Sequence, residues 1–160
     1  MTDWLTPDEM RAWRAYILTS RQLYEALERD LVAHGLSMAD YEVIAYLSEA
    51  PGRRVRMSEL AQASLLSRSR LSHRMKVLEQ AGIVRRESCL DDRRGSFAVL
   101  TDHGWQKIVA AAPDHVLSVR SRFLDLLQSD EQALLATIFE RFGEKLRENA
   151  DVEFLEAKAE

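Results

Sequence analysis

The 160-residue sequence has one cysteine, three prolines and six glycines. It also lacks any apolar run near the roughly 18 residues that a transmembrane helix requires. A single cysteine, Cys89, excludes an internal disulfide framework and fits a reducing compartment. The opening residues, MTDWLTPDEM, carry acids and no apolar stretch, so no secretory signal is expected and the expected location is the cytoplasm. His34, His73, His103 and His115 show no metal-ligand spacing, and no second cysteine exists to complete a zinc site; no metal and no cofactor are expected. There is no glycine-rich phosphate loop, no nucleophile elbow, and no carboxylate constellation with a partner histidine. The sequence therefore gives no reason to expect an enzyme.

What is present is an ordinary globular composition: 46% hydrophobic and 30% charged residues. The formal charge of −4 argues against a polyanionic partner until its distribution is read. Between Arg53 and Arg94 stand eleven basic residues against five acidic ones; the rest of the chain holds eleven against twenty-one. A basic module sits in an acidic frame, and phosphate binding depends on the local patch.

The basic module centres on residues 57–95, MSELAQASLLSRSRLSHRMKVLEQAGIVRRESCLDDRRG. Ser58 is placed to cap a short helix, SELAQAS, and Ser67 to cap a second, RSRLSHRMKVLEQA, which ends at Gly82 where a left-handed backbone costs little. Leu71, Met75 and Leu78, with Val77 and Ala81 contributing less, mark its inner face. Arg68, Ser69, Arg70, His73 and Arg74 fill the outer one within two turns. Two short helices joined by a tight turn, the second basic at its start, describe a helix-turn-helix. Ile83–Glu87 and Ser96–Leu100 then read as the two strands of a hairpin, a wing. Its tip carries Arg93 and Arg94, side chains suited to a narrow minor groove, with Asp91 and Asp92 placed to stiffen the loop by pairing with nearby arginines. Which of the two arginines enters the groove stays open.

Helices frame this module. Thr6 with Glu9 forms a capping box that starts a long aromatic helix carrying Trp13, Tyr16, Tyr24, Leu27 and Leu31 and stopping at Gly35. Ser37 with Asp40 forms a second box, opening a helix that ends at Pro51-Gly52, with Tyr41, Ile44, Ala45 and Leu47 inward. Arg53–Met57 reads as a short extended segment, a third strand for the wing sheet. A helix from about His103 to Leu127 shows a seam of Trp105, Val109, Ala112, Val116, Val119 and Phe123, with Pro113 inside it and a kink expected nearby. Ser129 with Gln132 reads as a further capping box for a last helix bearing Leu134, Leu135, Ile138, Phe139, Phe142 and Leu146. These terminal helices hold more apolar surface than a small winged domain can cover, and a two-fold dimer would bury it.

The run LSRSRLSHRMKVLEQAGIVRR followed by DDRRGSFAVLTDHG resembles the recognition helix, wing and wing exit of the MarR family, and the order of helices extends the likeness over nearly the whole chain. The resemblance implies a mainly α (α+β) fold. Residues 37–100 would form a winged helix-turn-helix, 1–36 and 101–150 a helical dimerisation region, and 151–160 a charged, frayed tail. It implies a homodimeric, sequence-specific regulator of transcription bound to a pseudo-palindromic double-stranded operator, with no membrane partner. Repression would be released by a small-molecule effector, an aromatic or phenolic one being the family's habit. The DNA-binding candidates are Ser67, Arg68, Ser69, Arg70, His73, Arg74, Arg93 and Arg94. The effector-binding candidates are Trp13, Tyr16, Ser20 and Tyr41, although an aromatic stripe at helical spacing more often packs a core or a dimer interface. Relatives that sense oxidants do so through a cysteine in the N-terminal helical region, which has none here, so Cys89 is expected to be an ordinary hairpin cysteine. The alternatives are a small-molecule-binding protein or a winged-helix protein-interaction module that binds no operator; loss of the arginines at 68, 70, 74 and 94 would mark the latter, and all four are present.

Overall fold

A computed structural model of the chain describes the backbone of residues 3–64, 68–88 and 95–156, and the side chains of these apart from Arg68 and residues 147–156. In chain order the elements are α1 (Pro7–Val32), α2 (Met38–Glu49), β1 (Arg54–Arg56), α3 (Met57–Ala63), α4 (Arg68–Gln80), β2 (Val84–Ser88), β3 (Ser96–Leu100), α5 (Asp102–Arg122) and α6 (Ser129–Glu156). Short 3-10 turns lie at Pro51–Arg53 and Leu124–Leu126. The chain divides into two compact units, Met1–Val119 and Arg120–Glu160.

The capping boxes expected at the first two helices are formed. The Thr6 N–H donates to Glu9 Oε2 at 2.7 Å and the Glu9 N–H to Thr6 Oγ1 at 3.3 Å. The Asp40 N–H donates to Ser37 Oγ at 3.1 Å and the Ser37 N–H to Asp40 Oδ2 at 3.2 Å. Each arrangement satisfies two amides that a helix start leaves without partners. Helix α4 ends as its glycine predicts. Gly82 has φ +69°, the Ile83 N–H reaches the Leu78 carbonyl at 2.9 Å and the Gly82 N–H that of Glu79 at 3.0 Å, a Schellman closure.

Four other helix ends differ from the sequence reading. Ser58 does not cap α3: the helix begins at Met57, with Arg56 in the cap position and no side-chain cap, because β1 stays paired through Arg56 and runs straight into the helix. The helix expected to reach Leu127 stops at Arg122, since Phe123 leaves helical geometry at φ −139°, ψ −66°. Ser129 and Gln132 form no box either. The amide of Gln128 donates to Glu131 Oε2 at 2.7 Å, while Gln132 Nε2 donates to the carbonyls of Leu124 and Leu127 and closes the preceding turn. Helix α6 continues to Glu156, past Asp151 where the charged tail was expected to begin; no glycine or proline interrupts it there.

The sheet is antiparallel with order β1-β3-β2, so the extended segment before α3 is indeed the third strand. Val55 and Arg86 both pair with Ala98, and Arg54 and Arg85 both pair with Val99. Val55, Val84, Ala98 and Leu100 turn into one core with Leu31, Leu36, Ile44, Leu47, Leu60, Leu71, Met75 and Leu78. Val77 and Ala81, assigned weakly to the inner face of α4, are exposed. Helix α5 joins this core through Gly104, Ile108 and Ala111, one position round from the expected seam, and Trp105, Val109 and Val116 of that seam are exposed. Thr101 ties the wing exit to the α4 turn: its N–H donates to the Ile83 carbonyl at 3.0 Å, its hydroxyl lies 2.7 Å from the Gly82 carbonyl, and it accepts the Gly104 N–H at 3.0 Å.

Candidate nucleic-acid interface

Helix α4 has two sides set by its 3.6-residue period. Leu71, Met75 and Leu78 are at most 2% exposed and seat it on the core. Ser69, Arg70, Ser72, His73 and Lys76 are exposed on the other side. A shallow cleft lined by Ala39, Ser69, Arg70, His73 and Arg74 lies toward α2, and a groove lined by Ser69, Ser72, His73, Lys76, Glu79 and Arg86 lies toward β2. The helix thus stands proud of its surroundings with a donor-rich face, the shape and chemistry that enter a major groove. Lys76, absent from the sequence candidates, lies on the same exposed face; its spacing of three from His73 is the signal that places it there.

The expected DNA-binding set does not behave as one group. Ser69, Arg70 and His73 share the exposed face, whereas Arg74 turns toward α2, its Nη1 3.4 Å from Asp40 Oδ1. Ser67, Arg93 and Arg94, together with Cys89 and the Arg68 side chain, lie outside the described residues. Arg86 braces the wing against the reading helix. Its Nη2 donates to the Ser72 carbonyl at 3.3 Å and its Nε meets Glu79 Oε2 at 3.3 Å. On the far face of the sheet, Arg54 Nε donates to Glu87 Oε2 at 3.1 Å and lies over the Phe97 ring, and Arg85 Nη2 donates to Glu87 Oε1 at 2.6 Å. Arg53, with an unusual positive φ of 54°, pairs with Asp102 at 3.2 Å and stacks over Trp105 at 4.2 Å. Such arginines stiffen the wing base through charge and ring contacts.

The four residues considered for an effector do not converge. Met38 N–H donates to Glu28 Oε2 at 2.5 Å, fixing the start of α2 beside the last turns of α1. Trp13 lies fifteen residues earlier, roughly 22 Å along the helix axis at 1.5 Å per residue. Trp13 and Tyr16 lie beside each other, ring centroids 6.1 Å apart, and both are about half exposed. Ser20 donates to the Ile17 carbonyl of its own helix at 3.3 Å. Tyr41 is buried, its ring 4.2 Å from that of His115. The cleft read from the sequence is therefore not assembled by the first two helices of one chain, because one straight helix cannot bring residues four turns apart to one place.

The Tyr41–His115 pair belongs to a polar junction of α1, α2 and α5. Ser118 Oγ donates to Asp30 Oδ2 at 2.7 Å, His34 Nε2 lies 2.9 Å from Asp114 Oδ2, and Lys107 Nζ donates to the His34 carbonyl at 3.0 Å. Burial pushes the His115 pKa below its ordinary value, with Asp30 acting the other way. Burial, and then the charge of Glu28, raises that of Glu42. Among the described residues no group of three His, Cys, Asp or Glu is placed to hold a metal ion, and no helix is long and apolar enough to cross a membrane.

Known proteins share this architecture. The MarR family model matches residues 34–95, the helix-turn-helix and wing. AbsC, a MarR family transcriptional regulator from Streptomyces coelicolor, superposes with a TM-score of 0.89 at 48% identity, over 91% of this chain and 99% of that one. Sco3205, a MarR family regulator from the same organism whose crystal structure is a complex with DNA, also gives 0.89, at 41% identity over 91% and 92% of the two chains. Transcriptional regulator HosA of Escherichia coli O157:H7 is 32% identical over 103 residues, 64% of this chain and 74% of HosA. The chain belongs to the MarR family: it is a winged-helix, DNA-binding transcriptional regulator, not an enzyme.

Proposed function

We propose that the protein acts as a homodimer on a pseudo-palindromic operator, as a repressor that a small-molecule effector releases. The observation that carries the DNA-reading part is the α4 face, where Ser69, Arg70, His73 and Lys76 stand exposed above a core that holds the helix rigidly. The similarity to Sco3205, solved with DNA, supports it. Arg70 is the side chain proposed to read a guanine edge, since the guanidinium fork matches its two acceptors. Ser69, and Ser67 and Arg68 before it, would position the helix on phosphates, and Arg93 and Arg94 at the wing tip would follow the adjacent minor groove. Two such helices related by a two-fold axis would enter successive major grooves about 34–36 Å apart.

The dimer is proposed because the terminal helices leave large apolar side chains uncovered: Trp13, Tyr16, Trp105 and Val109 in the first unit, Leu134, Phe139, Phe142 and Leu146 in the second. A second copy of the chain is the simplest cover for faces of this size on a two-fold axis. Release by an effector would be a population shift toward a half-site spacing that no longer fits DNA. Of the effector candidates, Tyr41 sits best for such coupling, at the junction of α1, α2 and α5.

Selection of bound duplexes from a random library tests this reading. An inverted repeat bound by one dimer is the expected result; salt-sensitive binding without any enriched sequence would overturn it. On the selected duplex, Arg70→Ala is expected to relax preference at one base pair per half-site and to cost about 1–3 kcal/mol. An unchanged preference at every position would remove Arg70 from the reading role.

A further inference from the structure

We propose that Arg74 is a positioning residue, withheld from DNA by Asp40 so that it fixes the recognition helix against α2 without adding a phosphate contact. The inference rests on the operator-binding reading above.

The geometry at Asp40 is the starting point. Its residue is 8% exposed, the one buried charged side chain among the described residues. Its Oδ2 is occupied, accepting the Ser37 N–H at 3.2 Å and the Ser37 hydroxyl at 2.6 Å. Its Oδ1 is buried and takes no hydrogen bond among the described residues; the nearest charge is Arg74 Nη1 at 3.4 Å. A buried carboxylate with one oxygen unserved depends on a neighbouring cation, since stripping the cation away leaves an uncompensated charge out of water.

Arg74 is drawn the same way by its other neighbours. Burial first, and then the charges of Glu42 and Glu28, raise the Tyr24 pKa, while Arg74 acts the other way, so the arginine's charge is felt beside the acids of α1 and α2. Helical spacing explains the turn. Arg74 follows Arg70 by four residues, yet it sits at the edge between the exposed face and the seam of Leu71, Met75 and Leu78, and its side chain is 32% exposed. Moving it onto a phosphate would gain a contact that every DNA sequence offers and would strand Asp40. The pair therefore favours discrimination over raw affinity, because phosphate contacts carry no sequence information. The capping-box acid of α2, its N3 residue, thereby also sets the angle at which α4 is presented.

The test is the salt dependence of binding to the selected duplex and to an unrelated one, for the wild type, Arg74→Gln, Arg74→Lys and Asp40→Asn. Asn at 40 retains an oxygen for the Ser37 amide, and thermal melting checks that each variant is folded. The expected result for Arg74→Gln is an unchanged salt slope with base preference blurred, and for Arg74→Lys partial recovery of that preference. For Asp40→Asn it is a slope steeper by about one unit, with tighter binding to the unrelated duplex, as the released arginine finds a phosphate. A slope that falls by about one unit in Arg74→Gln would make Arg74 a phosphate contact and overturn the proposal, as would an unchanged slope in folded Asp40→Asn. If Asp40→Asn does not fold, the Arg74→Gln slope decides alone. A wild type that selects no duplex overturns the operator reading and this inference with it, whereas a wild type that selects one but fails the slope comparison overturns this inference only.

Discussion

The winged module and the helices that flank it treat apolar side chains in opposite ways. Around the sheet, Leu60, Leu71 and Met75 are at most 1% exposed, and every element from α2 to β3 places residues in the same core. Along α1, only Leu27 and Leu31 are buried, both in its final turns beside α2, while Trp13 remains 51% exposed. Leu146 of α6 is 68% exposed. Within the chain itself, the large aromatic and aliphatic side chains are packed as core in the winged module and largely left exposed on the flanking helices. A helical stripe shows that a face wants cover but does not say whether the same chain supplies it.

The largest expected effect comes from attacking that difference directly. Placing charge on the second unit's face, Phe139→Glu with Phe142→Glu, is expected to abolish the proposed dimer and with it high-affinity operator binding. Those rings stand edge to face 5.9 Å apart and are both substantially exposed in the chain alone. Analytical ultracentrifugation across micromolar concentrations checks the mass. A variant that keeps the wild-type mass would show that this face is not the interface.

How far the sequence could be read follows the same division. Local chemistry was legible where a few adjacent residues decide the outcome: Thr6 with Glu9, Ser37 with Asp40, Gly82 at the α4 terminus, and the pairing of Arg54–Arg56 into the wing sheet. It failed where a neighbouring element overrides the local signal. Ser58 is a good cap residue, but β1 holds the chain in pairing up to Arg56 and the helix starts first. The seam through Trp105 and Val109 is periodic, but α5 docks on the sheet through the smaller Gly104 and Ala111 beside it. On the exposed face of α4, Arg70 and His73 were legible from spacing. The withdrawal of Arg74 was not, because it depends on a carboxylate thirty-four residues earlier whose burial the sequence does not display. The effector candidates came as a set from the family resemblance, which puts them on the first two helices; the length of α1 separates Trp13 and Tyr16 from Tyr41.

Gly104 offers a sharper test of how closely α5 seats on the winged module. Helix propensity alone favours alanine over glycine by about 1 kcal/mol in a helix interior. A Cβ at this position would come 2.2 Å from the Ile83 carbonyl oxygen and 2.6 Å from Leu100 Cδ1. The first of these is backbone, pinned by the Thr101 N–H, so it cannot yield as a flexible side chain would. Overpacking of this kind costs about 1–3 kcal/mol, so Gly104→Ala is expected to destabilise on balance. Urea denaturation reads the sign, and a stabilised variant would mean that α5 can slide away from the sheet at little cost.

The smallest effect probes the polar junction that joins the two kinds of region within the first unit. His115 packs on Tyr41, its Nδ1 is buried without a hydrogen-bond partner among the described residues, and burial holds its pKa below the ordinary 6.5. The folded state therefore favours neutral imidazole. Above pH 6.5 the unfolded chain is neutral there too, and the contribution to stability is complete. As pH falls through 6.5 toward the folded-state pKa, the unfolded chain takes up the proton first, and stability is lost. Glu42, whose pKa is raised, works in the opposite sense at lower pH, being easier to bury once protonated. Comparing the wild type with His115→Phe, which keeps a ring against Tyr41, isolates the histidine from that background. The expected result is a melting temperature that drops less in the variant than in the wild type between pH 7.5 and 5.5. Equal drops would place the acid sensitivity elsewhere.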